Sequence, residues 1–561
     1  CYTSQIRIKQ LHKRLEAHYL VAEKMAAAAF YNGLMDYPKE RLDESLRSLL
    51  LAQFHDILPG SSIQSVEEHA LQLLSHGLEE CHRVRAEAFF ALARGEKPAK
   101  KDTFPILVYN PHPWPLTTLV EAEFMFEDHN WDGGFHIVHT KQGRKECPTQ
   151  VEKEAANFPV EWRKRIVFKA TLAPSQMNRF DCTLKKVAEK PKVEVRDDNH
   201  LLLFHSQDLD VVVNTRTGLI DRYCAKGRHL VDDKAFQPIV VADTADSWGM
   251  TTNHFGTVLG RFRRLNREQA REFTNIKDKS FEPVRIIEDG PVRSVVEALF
   301  GWQDSYICQR YKIPKEGTEL EVETRVYWNE KDSMLKLSVP VKEAPVSRFL
   351  GQTAFGVEEQ PVNGDETVAQ RWLALVNEES DYAITCVTDS TYGADFSWRG
   401  LRLTLLRSPG YAAHPVPGYN PYMPSDRFEP RVDQGERFFR FWFDIGAKEE
   451  RLALIDREAA LHNETPFALS HFPGGELVKT KPLFNLSDKT VQVSAIKRAE
   501  NNRGYILRLF EPTGKKRKTT ISLPGTSFKK KVTLKAFEIK TLRIDVKKGS
   551  CQEVSLVEKK L

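Results

Sequence analysis

A chain of 561 residues, at roughly 150 residues per domain, holds about three or four domains, which excludes a single compact module. Hydrophobic residues make up 41% and charged residues 28%, with 30 Gly and 29 Pro, the composition of a soluble globular protein rather than a disordered or fibrous one. The 82 Lys+Arg against 77 Asp+Glu leave a net charge of +5, too small over this length to argue for a nucleic-acid partner. The basic runs Lys515-Lys516-Arg517-Lys518 and Lys529-Lys530-Lys531 lie between turn signals and short β-branched stretches and are expected at solvated hairpin ends. Eight scattered cysteines without a Cys-x-x-Cys pair argue against thiolate zinc and against a disulfide framework, so a reducing, cytoplasmic compartment is expected. No run of about 18 apolar residues is present, hence no membrane partner is expected. The chain opens on Cys1 rather than Met, and a helical pattern follows at once, which reads as a processed or cut beginning.

The periodicity predicts three helices between residues 3 and 95. The first runs from a Thr3/Ser4 cap through Ile6, Leu11, Leu15 and Leu20 to Asn32-Gly33. The second starts at Pro38, carries Leu42, Leu46, Leu49, Leu50 and Ile57 at helical spacing, and stops at Pro59-Gly60. The third opens with a capping box, Ser61-x-x-Gln64, and continues through Val66, Leu71, Leu74 and Leu78 to Ala93. Short connections make them an antiparallel three-helix bundle. After Gly95-Glu96-Lys97-Pro98 the texture changes to short β-branched and aromatic runs, such as Val211-Val212-Val213, Leu320-Glu321-Val322-Glu323 and Phe438-Phe439-Arg440-Phe441-Trp442, with no long helical period between them. The expected fold class is α+β multidomain: a three-helix bundle over 1–97, a small β-sandwich over 98–190, a large one over 191–450 and a C-terminal β domain over 451–561.

Chemistry concentrates in Gln53-Phe54-His55-Asp56-Ile57-Leu58-Pro59-Gly60, which sets an imidazole beside a carboxylate on the expected last turn of the second helix. At 100° per residue, Leu42, Leu46, Leu49, Leu50, Gln53 and Ile57 share one face, and His55 lies nearly opposite, flanked by Leu51 and Leu58. Leucines on an outward face are poorly placed in water, so another domain is expected to cover it. Without further context the pair reads first as a surface histidine next to a helix-terminal aspartate, and a lone His-Asp cannot assemble a zinc site of about four ligands. Ser61 and Ser62 are explained as N-caps more simply than as nucleophiles, since no glycine-flanked elbow accompanies them. Asn463-Glu464-Thr465 and Asn485-Leu486-Ser487 match the N-glycosylation pattern, which matters only in a secreted protein. The aromatic, Pro-rich stretch from Pro409 to Tyr422, followed by Asp433-Gln434-Gly435-Glu436, reads as a long exposed connection whose aromatics could equally stack on a sugar or pack the loop.

The segment from Gln53 to Ile63 resembles the second metal motif of the glycoside hydrolase family 38 α-mannosidases, and the resemblance extends along the chain. Cys1-Tyr2-Thr3-Ser4 resembles the opening of that family's middle helical domain, and Val108-Tyr109-Asn110-Pro111-His112-Pro113-Trp114-Pro115 the entry to its first β domain. Glu330 to Lys336 and Leu401 to Pro409 resemble its large sandwich, and Ala536 to Thr541 its last domain, so the matches fall in order. The resemblance implies a retaining, metal-dependent exo-α-mannosidase acting on a terminal α-mannosyl oligosaccharide or a small mannosyl substrate. It implies His55 as a ligand of Zn2+ or another divalent metal, the one ligand from this chain, and Asp56 as a carboxylate holding mannose hydroxyls. The nucleophile and the other ligands come, in the family, from an α/β domain preceding the helical one, and nothing here resembles it. The chain is therefore expected to dock that N-terminal domain and to be inactive alone. A homodimer is compatible with the resemblance, and a non-catalytic carbohydrate-binding β-sandwich protein is the alternative.

Overall fold

The computed structural model describes residues 3–125, 135–153, 163–189, 191, 197–229, 231, 233–243, 247–248, 252–341, 347–411, 427–476 and 478–560. Cys1, Tyr2, most of the 409–422 connection and the expected boundary near 190–192 lie outside these residues in whole or in part. Three helices come first: α1 (Ile6–Tyr31), α2 (Lys39–Leu51) and α3 (Gln64–Ala93). Antiparallel strands follow, with two further helices, α4 (Arg267–Thr274) and α5 (Lys448–Asn463). The expected class of a helical bundle followed by antiparallel sandwiches holds.

Local details depart from the sequence reading where tertiary contacts outbid local signals. Gln5, at φ 52°, occupies the N-cap of α1 in place of Thr3 or Ser4, and the orphan Ile6 amide is satisfied by the Asp433 carboxylate at 2.9 and 3.0 Å, 427 residues away. The second helix ends at Leu51 instead of running to Pro59. Its expected last turn is an irregular turn over 52–60, because the carbonyls of Leu58 and Pro59 accept from Lys9 Nζ at 2.8 and 3.0 Å. No capping box closes α3; Ile63 is its N-cap without a side-chain bond, and Ser61 and Ser62 point their hydroxyls elsewhere. The 16-residue α5 interrupts a region read as strands only.

The bundle does not keep its core to itself. One side of α1 and α3 packs on α2 through Leu15, Leu42, Leu49, Leu74 and Val84. The alanine-rich end of α1, together with Phe89 and Leu92 of α3, packs on Leu507, Leu509 and Ile544 of the C-terminal β unit. Small side chains there let the helix backbone approach the sheet closely, which is what Ala26 to Ala29 provide.

The first β unit pairs a five-stranded sheet with a three-stranded one (116–125, 163–172, 149–152) over a core containing Trp114, Phe168 and Phe180. Its five-stranded sheet takes Phe467–Ser470 as an edge beside Phe104–Tyr109, so the chain crosses back past the boundary expected at 450. The large sandwich sets a six-stranded sheet against a ten-stranded one, with Phe236, Tyr311, Trp328, Leu337, Phe441 and Phe443 fully buried between them. A four-stranded and a three-stranded sheet make the C-terminal unit. There Arg517–Ser522 and Lys529–Leu534 form a hairpin whose Lys529, Lys530 and Lys531 are exposed at the start of its second strand.

Candidate functional site

The turn over 52–60 hangs between α2 and α3 and is held from below by the first residues of the chain. Lys9, buried in α1, donates from Nζ to the carbonyls of Ser4 (2.6 Å), Leu58 and Pro59. Gln5 donates from Nε2 to the Ser62 carbonyl at 2.7 Å and accepts from Ser62 Oγ at 3.0 Å. Gly60 lies against the Ser4 backbone, so closely that an added Cβ would stand 2.1 Å from the Ser4 carbonyl oxygen. At φ +82° it also occupies the left-handed region that glycine enters without cost.

A buried polar layer lies beneath and ties the turn to the large sandwich. Arg407 pairs with Asp243 at 2.6 and 2.7 Å and donates to Ser4 Oγ at 3.3 Å, while the Tyr411 hydroxyl donates to Glu67 at 2.6 Å. Burial, opposed by Asp433, pulls the Lys9 amine down to about 7, and burial, opposed by Arg437, pushes the Asp433 carboxyl up to about 7. None of Lys9, Asp243, Arg407 or Asp433 is signalled by the local sequence, since the contacts that fix them reach 49 to 427 residues along the chain. Only the Asp433-Gln434-Gly435 turn pattern marks a place where the chain could insert.

Upon this base the two predicted residues come together. His55 Nε2 stands 3.4 Å from Asp56 Oδ2, with the His55 side chain 78% exposed and Asp56 44% exposed. The Phe54 ring lies 4.1 Å from the imidazole, and Ser61 Oγ donates to Asp56 Oδ1 at 3.3 Å. Ser62 donates to Gln5, so neither serine faces His55 and no Ser-His-Asp relay forms. The outward position of His55 is as expected, but its neighbours are not those of an ideal helix. Leu50 and Gln53 join Leu51 and Phe54 on the exposed side, whereas Leu58 packs back on the bundle core. Leu50, Leu51, Phe54 and Ile63 are each about half exposed around this turn. Gln53 Nε2 and His12 Nε2 stand 3.1 Å apart at the turn's inner edge.

Among the described residues no three His, Cys, Asp or Glu side chains converge as a metal site. The donor set here, one exposed imidazole with one adjoining carboxylate, fits part of a metal site shared with another segment and does not fit one complete within this chain. One of the other sequence patterns, Asn463-Glu464-Thr465, goes inward. Asn463 Nδ2 donates to the carbonyls of Thr388 and Ala459, and Glu464 is buried.

The chain is similar to known proteins along most of its length. Residues 1–92 match the alpha mannosidase middle domain, residues 209–417 the glycosyl hydrolases family 38 C-terminal domain, and residues 490–560 the family 38 C-terminal beta sandwich domain. Alpha-mannosidase 2C1 of Mus musculus is 23% identical over 541 residues, covering 91% of this chain and 44% of the relative. Alpha-mannosidase G of Dictyostelium discoideum is 21% identical over 560 residues, covering 91% and 46%. The chain thus spans less than half the length of these relatives. The crystal structure of an alpha-mannosidase from Enterococcus faecalis V583 superposes with a TM-score of 0.71 over 97% of this chain and 67% of that one. A second family 38 structure from Enterococcus faecalis reaches 0.75 over 97% and 70%. Both are 14% identical to this chain and show the shared fold. Three family domains in their order, on a helical bundle and sandwiches of the same architecture, place this chain in glycosyl hydrolase family 38.

Proposed function

We propose that this chain is the middle and C-terminal portion of a retaining, metal-dependent exo-α-mannosidase that removes terminal α-mannosyl residues, and that it is inactive without an α/β domain carrying the nucleophile. The observation that carries this reading is the His55 turn: an imidazole and a carboxylate 3.4 Å apart, presented outward amid half-exposed Leu50, Leu51, Phe54 and Ile63 in a member of this family. Apolar side chains around exposed polar donors suit a surface that another domain covers. His55 would supply one nitrogen ligand to a zinc or similar divalent ion, and Asp56 would accept hydrogen bonds from mannose hydroxyls. The metal, when bound, supplies a fixed positive charge at the sugar. Lys9, Gln5 and Gly60 hold the turn rigid, so that both side chains meet a sugar in a fixed orientation. Retention needs a further pair of carboxyls about 5 Å apart, which this reading assigns to the other domain.

The test is an aryl α-mannoside assay with added zinc. The chain alone is expected to show no turnover, and to gain activity when a family 38 α/β domain is supplied in trans. His55→Ala should abolish that gain while leaving the melting curve unchanged, because its side chain is exposed. Ordinary glycosidase turnover by the chain alone, or full rescue of His55→Ala, would sink the reading.

A further inference from the structure

A broad cleft lies away from the His55 turn and shares no lining residue with it. It has a volume of about 760 Å3 and opens between the first β unit, the outward face of the ten-stranded sheet and the end of α5. Strand alternation builds its floor: Lys312 pairs in register with Glu321, which faces Trp442, and the next rung sets Glu323 opposite Arg440. The intervening Val322 and Phe441 point the other way, into the sandwich core. One wall is the strand 116–125, whose Thr117, Leu119 and Glu121 alternate toward the cleft.

The charges named on this floor are held in ion pairs. Lys312 Nζ lies 3.0 Å from Glu321 and 2.5 Å from Glu323, Arg440 Nε donates to Asp389 at 2.9 Å, and Arg293 pairs with Glu121 at 2.8 Å. His462 is 3.0 Å from Glu319 and stacks on the Trp442 indole with ring centroids 4.1 Å apart. A cation entering here meets Arg293, Lys312 and Arg440; an anion meets Glu321, Glu323 and Glu319. With five Lys or Arg and seven Asp or Glu in the lining, and Asp444 and Glu458 taken up by Arg451, no strong field of either sign is left. What the surface offers is many fixed donors and acceptors side by side, and also apolar patches: Leu119, 38% exposed on a face otherwise polar, and the exposed Pro148 and Pro291 in the lining. A sugar presents that same alternation of hydroxyls and C–H faces, and the volume is within the usual ligand-pocket range of roughly 300–1,000 Å3.

We propose that this cleft is a binding site for a short neutral saccharide, held by the Lys312, Glu321, Glu323 and Arg440 array against the Leu119 wall. The proposal stands on the chemistry of the cleft and does not depend on the role given to His55. A ligand here bridges the first β unit and the large sandwich, so occupancy also braces the seam between them.

Saturation-transfer NMR and calorimetry on the whole chain, with methyl α-mannoside, a mannotriose and maltotriose as probes, test it. At least one probe is expected to bind saturably. Leu119→Trp, which fills the cleft without removing an ion pair, should weaken that binding at least about tenfold with the Tm kept within about 3 °C. Glu323→Gln should weaken it as well, and His55→Ala should leave it unchanged. No binding of any probe at millimolar concentration overturns the proposal, as does binding that survives Leu119→Trp. Binding lost in His55→Ala but kept in Leu119→Trp overturns it while leaving the proposed function standing.

Discussion

Gly60 shows how much of the candidate site depends on one missing methyl group. Its φ of +82° and the 2.1 Å approach to the Ser4 carbonyl leave no room for a side chain, and the displaced atoms would be backbone. Gly60→Ala is therefore expected to destabilise the chain by about 2 kcal/mol or more, seen as a lower urea midpoint. An unchanged midpoint would mean that Ser4 moves freely, and with it the anchoring of the His55 turn. Pro59-Gly60 is legible as a stop signal, and His55-Asp56 as a candidate pair, because both are local in sequence. Lys9 is not legible: a lysine in the first turn of a helix ordinarily reads as solvent-facing, and the carbonyls of Leu58 and Pro59 folding over it make it an anchor.

At the scale of elements, α5 is the clearest divergence between pattern and structure. Its sequence does hold helix signals: Glu449 and Glu450 in the first turn, Leu452, Ile455 and Ala459 at helical spacing, and His462 in the last turn. They are weakened by charges on every side, because the helix is sandwiched. Ile455 and Ala459 pack on Trp372, Val387 and Trp442 of the large sheet, while Arg451 turns its guanidinium to Asp444 and Glu458. Ile455 is fully buried, and Ile455→Ala should cost about 2–4 kcal/mol by denaturant unfolding. A loss below about 0.5 kcal/mol would indicate that α5 is loosely docked. The short end of α2 has the opposite cause: a strong local helical pattern gives way because Lys9 claims the Leu58 and Pro59 carbonyls beyond Leu51.

Across the whole molecule, Glu464 joins three units at one point. Its carboxylate accepts from Lys24 of α1 at 2.6 Å and from Arg371 of the large sandwich at 3.0 Å, and its carbonyl accepts from His112 of the first β unit at 2.9 Å. Burial opposes ionisation, but Lys24 and Arg371 prevail and hold the carboxyl down to about 2. A carboxyl depressed in the folded state stabilises it fully above the unfolded value of about 4.5, and that contribution is lost as pH falls from there through about 2. The loss amounts to ~3 kcal/mol. Glu464→Gln should lower stability at neutral pH and flatten the fall between pH 4.5 and 2 in urea titrations. A variant whose acid limb matches the parent's would place the acid sensitivity elsewhere.

By itself the sequence determined the order of a helical bundle and antiparallel sandwiches through its periodicity and the family through the resemblance of several motifs in order, and it marked His55-Asp56 as a candidate pair because the two are adjacent. Only the tertiary structure decided what holds that pair in place, where the α1 amide finds its cap, and that Asn463-Glu464-Thr465 lies at an internal junction rather than on a glycan-bearing loop. It alone assembled the charged cleft over Glu321 and Arg440. Buried charges need partners, but chain proximity does not choose them: Asp433 meets Ile6, Arg407 meets Asp243 and Glu464 meets Lys24 only after separate units have packed.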